Sequence, residues 1–158
     1  DLLIREAIRL RDQGLSAEEI ARELNRLKGR VRILATLESL KYLLKGGRLP
    51  ATSAIVGTLL HVKPVMAVKN GKIEVVKKVR GTASAHQWIA KELSEKGFDP
   101  RYTPRLGSTQ CPALLEAFRG KLEAEGIRTS SFGHTDIGVV IGTHTGPGCV
   151  GVAYIEKE

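Results

Sequence analysis

Asn70-Gly71 stands between Val65-Met66-Ala67-Val68 and Ile73-Glu74-Val75-Val76, and no other pair of residues in the chain limits its fold so strongly. Asn-Gly supplies the positive φ angles of a type I′ turn, whose twist matches that of the strands it joins. With strand-like runs on both sides, the pair predicts a β-hairpin and commits the middle of the chain to a sheet.

Helical patterns surround that hairpin. Leu3, Ala7 and Leu10 keep helical spacing up to Gly14, and Ser16-Ala17-Glu18-Glu19 fits a capping box opening a second helix with Ile20, Leu24 and Leu27 on one face. Val31 to Thr36 alternates as a strand does, after which Leu37, Leu40 and Leu44 resume helical period until Gly46-Gly47. Pro50 can open a strongly apolar helix carrying Ile55, Leu59 and Leu60. Beyond the hairpin, Thr82 is expected to cap a helix through Ala85, Ile89 and Leu93 to Gly97, and Pro112 to begin another ending at Gly126. Ile127 to Phe132 and Cys149 to Ile155 read as strands flanking a glycine-rich segment, while residues 98–110 show no clear period. Strands alternating with helices, plus one hairpin, predict an α/β fold with a mixed sheet flanked by helices. Lys28-Gly29-Arg30 is the one visible boundary, dividing a helical segment, 1–28, from an α/β lobe, 29–158. Asp1 is followed directly by Leu2, Leu3 and Ile4, so the chain reads as starting inside an element, as a fragment would.

The chain has 158 residues, 42% hydrophobic and 27% charged, which suits one globular domain. Its longest apolar runs fall far short of the roughly 20 residues a membrane helix needs, and no targeting pattern opens it, so a soluble, intracellular protein is expected. Cys111 and Cys149 lack metal-like or redox-like spacing and read as free thiols. The formal net charge is +8, and between Lys41 and Arg80 the bases Lys41, Lys45, Arg48, Lys63, Lys69, Lys72, Lys77, Lys78 and Arg80 face only Glu74. That stretch projects positive potential, which fits either a solvated face or a docking patch. Aromatic residues are 4% of the chain and only Tyr42 falls among those bases, so a base-stacking nucleic-acid surface is opposed.

Polar chemistry concentrates between Gly133 and Gly148, where His134, Thr135, Asp136, Thr143, His144 and Thr145 sit among five glycines. Glycines admit backbone N–H groups to a ligand, threonine hydroxyls donate and accept, and histidine donates to an anion, so Gly142-Thr143-His144-Thr145-Gly146-Pro147-Gly148 suits a carboxylate or phosphate oxygen. The alternative is a tight turn with a packed histidine. His134, Asp136 and a threonine or Ser130 could be written as a triad, but no nucleophile elbow surrounds a serine. Neither His-x-x-x-His nor Cys-x-x-Cys appears, so no metal site is expected, and Gly46-Gly47-Arg48 lacks the Lys-Ser ending of a phosphate loop. The reading is a binding protein without a cofactor, not an enzyme.

Taken in order, Thr36-Leu37-Glu38-Ser39-Leu40, Leu44-Lys45-Gly46-Gly47-Arg48-Leu49, Val62-Lys63-Pro64-Val65, Asn70-Gly71, Val79-Arg80-Gly81 and Ile141 to Gly148 resemble the DegV family of bacterial fatty-acid-binding proteins. The resemblance runs from about Asp1 to Tyr154 and is expected to correspond to the C-terminal half of a family member, without the N-terminal lobe. It implies a cytoplasmic carrier that buries one long-chain fatty acid between two lobes and presents the carboxylate to a fatty acid kinase. By the same resemblance His144, and less directly Thr143, contact the carboxylate; Ile55, Leu59, Leu60 and Val65 line the acyl tunnel; and Arg80 helps dock the kinase. The segment Phe98 to Pro104 departs from the family by lacking a histidine. A half-tunnel left open would be a large apolar patch, so self-association or occlusion is expected. The runner-up is a basic nucleic-acid-binding or regulatory module, which the charge permits.

Overall fold

A computed structural model of the chain describes residues 1–49, 62–69 and 71–158. In chain order the described elements are α1 (Leu2–Asp12), α2 (Ala17–Lys28), β1 (Val31–Thr36), α3 (Lys41–Lys45), β2 (Val62–Lys69), β3 (Lys72–Arg80), α4 (Thr82–Lys96), β4 (Arg105–Ser108), α5 (Pro112–Ala124), β5 (Gly133–Asp136), α6 (Val139–Thr145) and β6 (Val150–Ile155). The six strands form one sheet in the order β3-β2-β1-β6-β4-β5. Every neighbouring pair is antiparallel except β4 with β5, so the sheet is mixed, as expected.

Several local expectations hold. The β2–β3 hairpin forms with Lys69 opposite Lys72 and Gly71 at φ +74°. Asn70, and with it part of the turn, lies outside the described residues, as does the apolar helix expected from Pro50 with Ile55, Leu59 and Leu60. At the head of α2 the Ser16 hydroxyl accepts from the Glu19 N–H while the Glu19 carboxylate accepts from the Ser16 N–H at 2.8 Å, a complete capping box.

Three expectations are corrected. Thr82 is not the cap of α4: Gly81 takes that position at φ +80°, which glycine adopts without the steric cost a side chain would bring, and Thr82 opens the helix. Residues 127–132 are not a strand. The Thr129 carbonyl accepts from the Phe132 N–H at 2.9 Å and from Arg119 at 3.1 Å, closing a turn, and the strand begins one residue later, at Gly133. The glycine-rich segment is not a turn up to Thr145, because Val139 to Thr145 is helical and ends only where Gly146 turns to φ +73°.

One face of the sheet is the core. Leu34, Val65, Leu106, Val150, Val152 and Tyr154 pack against α4 and α5 through Ile89, Leu93, Leu115, Phe118 and Leu122, all buried. Burial of each such side chain contributes about 1.5–3 kcal/mol, so this layer fixes the sheet. Segment 98–104 is tied to the end of β1 by an ion pair: the Asp99 carboxylate accepts from Arg101 and from Arg30 at 2.7 Å and is held well below the usual carboxylate range, chiefly by Arg101. Among the described residues no helix is long and apolar enough to cross a membrane.

Candidate functional site

The opposite face of the sheet carries a trough, and the strand register shows why. Partners on one face of a sheet recur at every second residue. Gly107, Gly151, Ala35, Met66 and Val75 make one row across β4, β6, β1, β2 and β3, and Arg105, Ala153, Ile33, Val68 and Ile73 make the next. The middle of both rows is small. A Cβ added to Gly151 would stand 2.7 Å from the Ala35 Cβ and 2.5 Å from the Leu34 carbonyl, so that floor position admits no side chain. Met66, Val68 and Ile73 rise on one side and Ile137 and Ile141 on the other, enclosing about 480 Å³ lined mainly by carbon. That volume is in the range of small-molecule sites. Leu37, Leu43, Met66 and Cys149 close one end, and Leu2, Leu3 and Arg105 stand toward the other. Thr135, Asp136 and Thr145 add a few polar groups to the lining.

Along the rim runs α6, which buries none of its residues and leaves Val139, Val140 and Ile141 exposed by 81%, 75% and 60%. The Thr143 hydroxyl donates to the Val140 carbonyl at 2.8 Å and the Thr145 hydroxyl to the Ile141 carbonyl at 3.3 Å, so both enter any ligand contact chiefly as acceptors unless they rotate. His144 does not line the trough; its neighbour Thr145 does. Its ring lies instead against α3, with Nδ1 buried and without a hydrogen-bond partner among the described residues.

The other expected site residues are dispersed. Val65 is fully buried among the residues facing α4, because it is one residue out of phase with Met66; Met66 and Val68 line the trough in its place. Arg80 is exposed at the end of β3, an outer strand of the sheet that also exposes Lys72, Lys77 and Lys78. It is not brought near His144 by any contact among the described residues. The trough-floor residues Ala35, Gly107, Gly151 and Ala153 were missed from sequence, although Cys149 to Ile155 alternates small and large residues.

Catalytic geometries fail on inspection. Ser108 Oγ lies 3.4 Å from His134 Nε2, and Asp136 Oδ1 lies 3.9 Å from that same nitrogen. A nucleophile relay needs its base to use one ring nitrogen for the hydroxyl and the other for the carboxylate, so these three residues do not form one. Cys149 lines the trough, but burial pushes its thiol up to about 12, far from the thiolate a nucleophile needs. Among the described residues no three His, Cys, Asp or Glu side chains gather as a metal site.

The comparisons with known proteins bear on this geometry. The family model described as "Uncharacterised protein, DegV family" matches residues 1–157. A DegV domain-containing protein of Caldanaerobacter subterraneus is 34% identical over 99% of this chain and 56% of its own length. Among solved structures, a fatty acid binding DegV family protein of Streptococcus agalactiae superposes at a TM-score of 0.85 with 29% identity, over 99% of this chain and 55% of that one. A stearic acid-binding protein of Eubacterium ventriosum superposes at 0.80, also with 29% identity and the same coverages. The family match takes in essentially the whole chain and singles out no C-terminal portion of it, so that expectation is not borne out. The chain spans about half the length of the relatives it matches.

Proposed function

The chain belongs to the DegV family, and on that premise we propose that its trough holds the acyl chain of a long-chain fatty acid, in a binding protein rather than an enzyme. The observation that carries the proposal is the small-residue floor on the sheet face away from α4 and α5, walled by Met66, Val68, Ile73, Ile137 and Ile141. An acyl chain gains about 0.8 kcal/mol for each methylene withdrawn from water, so a long apolar slot with few polar groups is what such a ligand requires. A polar or charged substrate would leave its hydrogen bonds unmade there. Among the described residues the trough has no facing wall on one side, and in a full-length protein of the family's usual length further chain would supply it. Residues 1–28, whose Leu2 and Leu3 reach the trough, would then be the segment adjoining that second half.

In this reading the carboxylate leaves the trough at the α6 rim, where His144 donates to it, with Thr143 as a secondary donor once its hydroxyl turns away from the Val140 carbonyl. Native mass spectrometry of the full-length protein should show an adduct of fatty-acid mass. Losing one hydrogen bond to a charged group corresponds to roughly a tenfold drop in affinity, which is the effect expected of His144→Ala with no loss of Tm. A protein free of lipid but bound to DNA with steep salt dependence would replace this reading with that of a nucleic-acid-binding module.

The carboxylate so held is proposed to be presented to a fatty acid kinase, which phosphorylates it. The lysines of β3 and Arg80 offer that partner a basic face, and complementary charge acts mainly on the rate of encounter. Arg80→Glu should therefore slow phosphorylation of the bound lipid at low salt while leaving lipid affinity intact; unchanged coupling would remove Arg80 from the interface.

A further inference from the structure

The pair Gly46-Gly47 ends α3, yet only one of the two glycines is required by the backbone. Gly47 sits at φ +67°, where a side chain is strained, and a Cβ there would meet open space. Gly46 is the reverse. Its φ of −80° and ψ of −1° suit any residue, and at the end of a helix alanine would ordinarily be the better choice. A side chain there would meet His144: a Cβ on Gly46 would lie 2.1 Å from the imidazole Nδ1 and 2.8 Å from Cε1, so the ring would have to move aside. The contact has a counterpart one turn away. A Cβ on Gly146 would fall 2.3 Å from Cδ2 of the Tyr42 ring, so α3 and α6 each lay an aromatic or imidazole ring over a glycine of the other.

We propose that Gly46 is a positioning residue for His144. The bare Cα of Gly46 forms the seat on which the imidazole rests, and that seat turns Nδ1 inward, where it is buried, and leaves Nε2 as the ring nitrogen that meets a ligand. Tyr42 on Gly146 holds the two helices at the spacing the seat needs. A histidine on a helix that buries none of its residues would otherwise sample several rotamers, and ordering it on binding would cost affinity. The inference rests on the reading of His144 as the carboxylate contact, but the seat itself can be tested apart from that reading.

The test uses Gly46→Ala, His144→Ala and the double variant in the full-length protein, with stearate as probe. In Gly46→Ala the ring 15N and Cε1 resonances of His144 should shift in the unliganded protein, and stearate affinity should fall by most of the roughly tenfold lost in His144→Ala. The double variant should bind no more weakly than His144→Ala alone, because the two changes remove one interaction. Unmoved imidazole resonances, or additive losses in the double variant, would overturn the proposal. If His144→Ala binds stearate as the wild type does, the carboxylate reading falls while the resonances still decide whether the seat exists. Should Gly46→Ala fold poorly, adding His144→Ala must restore its Tm, and failure to do so counts equally against the seat.

Discussion

Ala153→Phe is expected to weaken fatty-acid binding roughly a hundredfold while leaving the protein folded. Ala153 is half-buried on β6, in the row that runs through Arg105, Ile33, Val68 and Ile73, and its Cβ faces the trough rather than the α4–α5 layer. A phenyl ring there enters the trough rather than the α4–α5 layer, and strands accept aromatic residues well. The ring displaces about four methylenes of an acyl chain, a loss of about 3 kcal/mol or roughly a hundredfold in affinity. The measurement is stearate binding by calorimetry beside a thermal melt of the same variant. Retained affinity with an unchanged Tm would mean that the acyl chain does not run along this floor. Val152→Ala is a useful contrast, because Val152 belongs to the buried layer against α4 and α5 and its loss should reach stability before binding.

That contrast bears on what could be read from the sequence. The hairpin was legible because Asn70-Gly71 is a local device, and the capping box at Ser16 because both of its bonds are made within four residues. Which side of β2 faces the trough was not legible. Val65-Met66-Ala67-Val68 is apolar at every position, since one face packs on helices and the other lines a trough, and a strand apolar on both faces carries no alternation to give its phase. Val65, expected from the sequence as tunnel wall, belongs instead to the layer facing α4, and that phase could not be read. The strand placed at residues 127–132 failed for a different reason: the Thr129 carbonyl is taken by Phe132 N–H and Arg119, and no propensity records that competition. In the glycine-rich stretch, glycines suggested a turn, whereas Gly138 and Gly146 turned out to bracket a short helix. The seat of His144 on Gly46 joins two motifs far apart in the chain, each of which by itself looks like a helix stop or a loop.

Stability should fall steeply as the pH is lowered through the range 6.5 to 4, and His86 is the reason. Its imidazole, on α4, is 2% exposed, its Nε2 has no partner among the described residues, and its ring packs at 5.1 Å against Phe118 of α5. Burial, and secondarily the charge of Lys121, pushes it down to about 4. The unfolded chain, with an ordinary histidine near 6.5, therefore takes up the proton first. A group lowered in this way contributes fully above pH 6.5 and loses that contribution progressively as the pH falls toward about 4. The whole difference is about 3 kcal/mol, of which about 2 kcal/mol is gone by pH 5. Denaturant unfolding at pH 7.5 and pH 5 measures it directly, and the window stays above the range where carboxylates such as Asp99 take up protons. His86→Leu fills the same apolar layer without a titrating group and should remove most of the loss between the two pH values. It should also be neutral or stabilising at pH 7.5, because it replaces a buried polar atom that has no partner. An equal loss in wild type and variant would place the acid sensitivity elsewhere and leave His86 as a tolerated core residue.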